Sequence, residues 1–240
     1  MKIPRIQEAI MKKILVVTLI LLAGATRAPA QQNIGRILSI VGDVDITSIS
    51  GGAKFVPQVG AMITDDHRIR TGGRSYVEVL LNDGSKLFIR EVTVVNLSGL
   101  KMIEADPPTR IQVVTGKLRI TMKKTFRSRS LLLRTPTAVA GVRGTDFGVV
   151  VGRLETKLVV FEGEVEVASS NQDVIKAYMV KEREEVSVKK DEPPTAPRVV
   201  PNEILNSWFD YYEVDQRSRI IIRNKGDEGL LDGILRKKDF

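Results

Sequence analysis

Apolar and polar side chains alternate with a period of two along most of this chain, and this alternation restricts the fold more than any other feature. It runs from Gly35 to about Val188, and helical spacing is rare there. Successive side chains of a β-strand point to opposite faces, so the pattern predicts strands with one buried and one hydrated face. Turn residues interrupt it often, so the strands are short. We therefore expect an all-β fold.

The clearest local signal is a hairpin. Two alternating runs, residues 76–81 and 86–89, flank the turn sequence Asn82-Asp83-Gly84-Ser85. The Asp-Gly pair favours a tight turn in which both residues take positive φ. Val77, Val79 and Leu81 then lie on the buried face.

A seven-residue unit with glycine in its third position occurs three times, at residues 40–46, 114–120 and 161–167. In each copy, charged side chains alternate with apolar ones after the glycine. Such a glycine predicts a bulge or bend where a strand turns a corner. The units begin 74 and 47 residues apart, which gives no fixed repeat. We expect a twisted β-sandwich or an irregular β-solenoid of short strands.

The first thirty residues have the features of a secretory signal. Lys12 and Lys13 precede an apolar run, residues 14–25, and Ala28-Pro29-Ala30 offers a cleavage site after Ala30. The run is shorter than the roughly 20 residues that a membrane-spanning helix needs. We predict a signal peptide over residues 1–30, with translation beginning at Met1 or Met11, and a periplasmic or secreted protein that does not span the membrane after cleavage.

Composition excludes several classes of site. The chain has no cysteine, so disulfides, thiolate metal sites and a lipid anchor on cysteine are absent. Beyond residue 30 it has 32 basic and 28 acidic side chains, a mild excess that does not indicate a nucleic-acid partner. We expect no cofactor and no metal.

The sequence offers little catalytic apparatus. His67 is the only histidine, and no Gly-x-Ser-x-Gly motif or phosphate-binding loop occurs. Glu164 and Glu166 are explained as charges on the hydrated face of a strand. We predict that the protein is not an enzyme and that His67 lies in an exposed loop.

The order of several short motifs resembles the FecR-type domain, the extracytoplasmic domain of iron-citrate-type signal transducers. The matching stretches lie at residues 42–44, 59–60, 69–72, 75–85, 116–118, 135–138, 142–147 and 161–165. The resemblance spans residues 35–168 and implies a twisted, solenoid-like β domain that makes protein–protein contacts outside the inner membrane. We expect a stand-alone exported member that contacts an envelope protein, with a role in signalling.

Two parts of this resemblance have a physical role of their own. Pro136 fixes φ and lacks an N–H, which suits a strand end, and Gly144 permits close approach of the backbone. We interpret Thr135, Pro136, Gly144, Thr145 and Phe147 as a fold signature rather than a ligand site.

One basic cluster, from Lys117 to Arg134, contains no acidic residue. Its candidate binding residues are Lys117, Arg119, Lys123, Lys124, Arg127 and Arg129. Outside the cytoplasm such a cluster suits an anionic envelope polymer or lipid surface. This gives an alternative function, although a solvated hairpin explains the charges more simply.

The chain ends in a segment of different composition. Residues 189–201 are proline-rich and predict a linker between a β domain, residues 31–188, and a tail, residues 202–240. Asn202 can cap a helix. Apolar residues then follow at helical spacing: Leu205, Trp208, Phe209 and Tyr212. We predict an amphipathic helix that either docks on the β domain or enters a groove of a partner.

Overall fold

Short strands separated by turns follow one another through the chain, as the alternation predicts. The computed structural model describes residues 32–98, 109–122, 131–210, 212–215 and 217–222. Up to residue 98 the strands are β1 (Asn33–Val41), β2 (Val44–Ser48), β3 (Lys54–Phe55), β4 (Met62–Thr64), β5 (His67–Thr71), β6 (Tyr76–Leu81), β7 (Lys86–Ile89) and β8 (Val94–Asn96). The all-β prediction is confirmed.

The second half continues in the same way. Its strands are β9 (Thr109–Thr121), β10 (Leu131–Arg134), β11 (Ala138–Val142), β12 (Asp146–Val151), β13 (Glu155–Glu162), β14 (Glu164–Ser169), β15 (Ala177–Lys181), β16 (Glu184–Lys189) and β17 (Arg198–Val199). A four-residue helix, α1 (Asn202–Leu205), a 3₁₀ turn (Trp208–Asp210) and a hairpin of β18 (Tyr212–Val214) with β19 (Ile220–Ile222) follow.

The strands pair in two runs that share the long strand β9. One run has the order β4-β1-β6-β7-β9-β12-β13-β16-β17, and the other has the order β3-β2-β5-β8-β9-β10-β11-β14-β15. The second run is antiparallel except where β9 meets β10. β9 can serve both because its first half pairs in one run and its second half in the other.

Aliphatic side chains from both runs form one buried cluster, which we call the main core. The first run contributes, for example, Ile37, Val79 and Leu118 to this core, and the second run contributes Ile69 and Val165. Burial alternates along the contributing strands, as in β5 and β6. The period-two pattern therefore sets which side chains the two runs bury against each other.

The predicted hairpin is confirmed as β6 and β7, with Val77, Val79 and Leu81 buried. The turn differs in one respect from the prediction. Gly84 has φ +82°, but Asp83 does not have a positive φ. The Leu81 N–H donates to the Ser85 carbonyl at 2.8 Å, so three residues, 82–84, rather than two form the loop.

The glycine of each seven-residue unit lies where the chain passes from one run to the other, as predicted. Gly42, Gly116 and Gly163 have φ of +78°, +102° and +91°. Each packs against a hydroxyl residue of a neighbouring corner: a Cβ at Gly116 would lie 2.6 Å from Thr93 Cβ, and one at Gly163 would lie 2.7 Å from Thr145 Cγ2. A side chain at these positions would be both strained and crowded.

The prediction of an exposed loop for His67 is wrong. His67 is the first residue of β5 and only 6% exposed. Its Nδ1 accepts the N–H of Thr64 at 3.2 Å, and its ring lies 5.3 Å from that of Phe55. Alternate residues of β5 face inward, and His67 falls in register with them.

The predicted amphipathic helix does not form in the described residues. α1 is one turn long, and the aromatic stripe continues through the 3₁₀ turn into β18. Aromatic residues favour helices only weakly, so contacts with the β domain decide their conformation.

The proline-rich stretch, residues 189–201, lies along β16. The Thr195 N–H donates to the Ser187 carbonyl at 2.9 Å, and β17 pairs with β16. Within the described ranges, no helix has the length and hydrophobicity required to cross a bilayer. The predicted signal peptide lies outside the described residues.

Candidate functional site

The outer face of β12 is shaped to receive another part of the chain. Gly148, Val150 and Gly152 alternate on this face, and the two glycines leave space above the strand. A Cβ at Gly148 would overlap the ring of Phe209, and one at Gly152 would lie 2.9 Å from the Ser218 carbonyl oxygen. Glycine in a strand often marks such a close approach.

The segment that occupies this face carries the predicted aromatic stripe. Trp208 meets Phe209 and Tyr212 edge to face, with ring centres 5.1 Å apart in both pairs. Leu205 packs beside them, half-buried. We call the buried group the C-terminal cluster: Val150, Val159, Val200, Trp208, Phe209, Tyr212 and Val214. The structure therefore places the stripe against β12 and β13, although not as one helix.

A buried carboxylate fastens the middle of this segment. Glu185, on β16, accepts the indole N–H of Trp208 at 2.7 Å and the Nε–H of Arg198 at 2.7 Å. Burial and the charge of Glu185 raise the pKa of the Tyr212 hydroxyl well above its ordinary range. Hydrogen bonds from Trp208 and Arg198 to Glu185 therefore hold the segment in place in addition to its apolar contacts.

A buried lysine fastens the segment at a second point. Lys117 is 1% exposed, and its ammonium group donates to Glu91 Oε1 at 2.7 Å and to the Phe209 carbonyl at 3.1 Å. Burial alone would raise the pKa of Glu91, but the hydrogen bond and charge of Lys117 bring it below its ordinary value. A buried charge is tolerated only with such partners.

A groove of about 580 Å³ lies beside the docked segment, on the outer face of β6, β7 and β9. Residues that give it its chemical character are Arg74, Tyr76, Phe88, Arg90, Arg119 and Phe161. We call it the arginine groove. A smaller hollow of about 350 Å³ shares Arg74, Arg90 and Glu91 with it.

Two of the three arginines are already held in place. Arg119 makes two bonds of 2.8 Å to the carboxylate of Asp146 and stacks 4.1 Å from the ring centre of Phe161. Arg90 donates to Asp210 at 3.1 Å. Both therefore present an ordered, planar surface on the groove wall.

Arg74 differs from the other two arginines. It is exposed, and its backbone has φ +52° in the turn that leads from β5 to β6. The Ser75 hydroxyl accepts the N–H of Asp43 at 2.8 Å and donates to the Gly73 carbonyl at 3.0 Å, which fixes this turn. A left-handed conformation costs a non-glycine residue about 1 kcal/mol or more. Arg74 thus lines the groove from a turn whose backbone is strained.

The predicted basic cluster divides. Lys117 is buried and bound to Glu91, and Arg119 is paired with Asp146, so neither offers an unpaired cation to an anionic surface. Lys123, Lys124, Arg127 and Arg129 lie outside the described residues, and for them anion binding stays a prediction.

The residues interpreted as a fold signature lie at structural positions. Phe147 belongs to the main core, and Gly144 has φ +61°. The Thr135 hydroxyl accepts the N–H of Ala138 at 2.8 Å. Thr145 packs against Gly163 at the third corner, and the Pro136 carbonyl accepts the Ser170 hydroxyl at 2.9 Å.

Sequence reasoning did not predict the arginine groove. Its arginines come from the turn between β5 and β6, from the end of β7 and from the second half of β9, which are far apart in sequence. One local signal points to Arg74. It follows Gly72 and Gly73 in a turn, and its positive φ is one that glycine adopts more easily than arginine.

Residues 67–166 match the family described as FecR protein, so the resemblance expected from the motifs is confirmed over this stretch. A comparison with curated proteins gives no match.

Two crystal structures of a candidate anti-sigma factor from Parabacteroides distasonis, at 1.65 and 2.50 Å resolution, have a similar fold. Each is 16% identical, covers 71% of this chain and 91% of its own, and gives a TM-score of 0.50. At this identity the likeness concerns the fold alone.

Proposed function

We propose that this chain, whose residues 67–166 match the FecR family, is an exported, non-enzymatic module that binds a protein partner in the bacterial envelope and acts in signalling. The family context supports an extracytoplasmic position, and the similar fold of a candidate anti-sigma factor supports a signalling role. The arginine groove is the proposed contact surface.

The chemistry of the groove supports a protein partner. Arginine and aromatic side chains are enriched at protein–protein contacts, where they bury much area and lose little conformational freedom. Here Arg119 and Phe161 form a preordered stack, and Phe88 lies beside them. A segment of a partner that carries both carboxylate and apolar side chains would satisfy these groups.

The strained position of Arg74 carries the proposal. A glycine would relieve the strain of its backbone, yet the residue at this position is an arginine that lines the groove. Backbone strain of this kind occurs mainly at functional positions, such as ligand and partner contacts. Arg74 is therefore the residue whose replacement should separate binding from stability.

The test uses the chain as bait for envelope proteins, with three variants. Arg74→Glu should reduce recovery of the partner about tenfold or more, the effect of removing an interface hot spot. Arg74→Gly should reduce recovery similarly while leaving the free energy of unfolding unchanged within about 1 kcal/mol. Arg110→Glu, at an exposed site on β9 away from the groove, should behave as the wild type. Equal recovery with all four baits would refute the proposal.

The export component has its own test. We propose that residues 1–30 are removed on secretion, so protein recovered from the envelope fraction should begin at Gln31. Recovery of the unprocessed chain from the cytosol alone would contradict export.

A further inference from the structure

The longest strand edge left open at the end of the second run belongs to β15. Among the described residues, β15 pairs on one side with β14 and has no strand on the other. The terminal strands β3 and β17 have two residues each and β4 has three, whereas β15 has five. An open edge of this length is a template for another strand.

The backbone groups of this open edge can be assigned. Lys181 donates its N–H to the carboxylate of Glu184 at 2.8 Å rather than to β14. Because backbone groups alternate in direction along an antiparallel strand, the N–H and carbonyl groups of Met179 and Ala177 also point away from β14. The edge therefore offers two unpaired residues in the correct orientation for a new ladder.

Side chains at this edge are apolar at the centre and charged at the ends. Met179 is 47% exposed, and Ile175, just before the strand, is 95% exposed. Lys176 precedes β15 and Glu182 follows it, and both are exposed. Neither has an ion pair with any other described residue.

We infer that β15 pairs with β15 of a second copy of this chain, antiparallel and centred on Met179. This register brings each outward-facing residue opposite another, with Met179 facing Met179 of the second copy and Ala177 facing Lys181. It also places Lys176 of each copy opposite Glu182 of the other, so the edge is complementary to itself in charge. A two-fold axis then produces both ion pairs at once.

This interface is independent of the arginine groove, since β15 ends the second run of strands and the groove lies on the first. One strand pair buries less surface than a permanent dimer, so the association is weak and depends on concentration. At high protein concentration it would join two copies of the chain, each with its own arginine groove.

The absence of cysteine from the chain allows a direct test by disulfide trapping. With Met179→Cys, the two introduced thiols face each other across the axis and should link under oxidised glutathione, because directly opposed residues lie about 5.5 Å apart between Cα atoms. Ala177→Cys is the matched control on the same face of the strand. Its two copies lie four residues apart in this register, about 13 Å, and should link at least tenfold more slowly.

Charge reversal distinguishes pairing of two copies from random collision. In the Met179→Cys background, Lys176→Glu or Glu182→Lys alone should reduce the yield of linked dimer about threefold, and the double variant should restore it. Sedimentation of the unmodified chain should show a mass that rises with concentration. Equal linking at positions 177 and 179, failure of the double variant to restore the yield, or a monomer at every concentration would overturn the inference.

Discussion

The main core and the C-terminal cluster hold the same molecule together by different means. The main core is aliphatic apart from Phe147, and short alternating strands of both runs supply its side chains. The C-terminal cluster gathers Trp208, Phe209 and Tyr212 on the outer face of a sheet that is already complete. Hydrogen bonds to two buried charged groups, the Glu185 carboxylate and the Lys117 ammonium, fasten it. The chain has few aromatic residues, and three of them lie together where a short segment packs onto the outer face of the sheet.

The comparison predicts that the C-terminal cluster can be lost without the main core. Trp208→Ala should cost about 4 kcal/mol, because it removes the largest buried side chain and leaves Glu185 with one partner fewer. Amide hydrogen exchange should show lost protection in residues 198–222 and wild-type protection in β5 to β9. Sensitivity to protease should rise near residue 200.

Leu87→Ala is the control in the main core. Leu87 is fully buried, so its truncation should cost about 3 kcal/mol and reduce amide protection across both runs and the docked segment together. If Trp208→Ala also exposes the amides of β5 to β9, the two regions form one cooperative unit and the comparison fails.

The next largest effect concerns the ion pair that fastens the C-terminal cluster. Glu91→Gln should cost about 2 kcal/mol, because it removes the negative charge that lies 2.7 Å from the buried ammonium of Lys117. In the wild type, Glu91 has a folded-state pKa below its ordinary value of 4.5, so its contribution to stability is present above pH 4.5 and is lost as the pH falls through the folded-state pKa.

Denaturant unfolding at several pH values tests this prediction. Docking of the segment should weaken in the wild type as the pH falls below 4.5, and this part of the pH dependence should disappear in Glu91→Gln. An unchanged pH profile in the variant would show that Glu91 does not link docking to pH.

A smaller effect tests the space above β12. Gly148→Ala should cost about 1 kcal/mol, because the added Cβ overlaps the ring of Phe209, which must move. Gly141→Ala in β11 is the matched control, since the nearest atom to its added Cβ is 4.0 Å away. It should be neutral or slightly stabilising, and equal losses in thermal unfolding would contradict the role assigned to Gly148.

The same contrast explains how far the sequence predicts the structure. Alternation within a strand is local, so the β6–β7 hairpin and the buried faces of the main core follow from it. Glycine in an alternating strand is also a local signal, and it locates Gly42, Gly116 and Gly163 at the corners. The hydroxyl residues that pack against these glycines, such as Thr93 and Thr145, come from neighbouring corners and leave no local signal.

The candidate site was harder to predict, because its parts meet only in the folded chain. Lys117 follows a glycine in a run of basic residues and indicates a surface charge, but its position in β9 turns it under the docked segment. The stripe that ends in Tyr212 has helical spacing, yet contacts with β12 and β13 determine its conformation. Both faces of β12 are buried, and the only sign of this in the sequence is an apolar run that is interrupted by Gly148 and Gly152.

The smallest expected effect concerns His67, the first residue of β5. Burial lowers the pKa of this imidazole against the opposing charges of Asp66 and Asp65, and its neutral Nδ1 accepts the Thr64 N–H. A lowered folded-state pKa means that its contribution to stability is present above the ordinary pKa of 6.5 and is lost as the pH falls through the folded-state value. Loss of one such acceptor costs about 1 kcal/mol or less.

Between pH 7 and 5, amide protection around β4 and β5 should therefore fall slightly. The C-terminal cluster should stay protected over this range, because its response to acid begins below pH 4.5. His67→Gln should remove this dependence, and simultaneous loss of protection in both regions above pH 5 would show that they do not respond to acid separately.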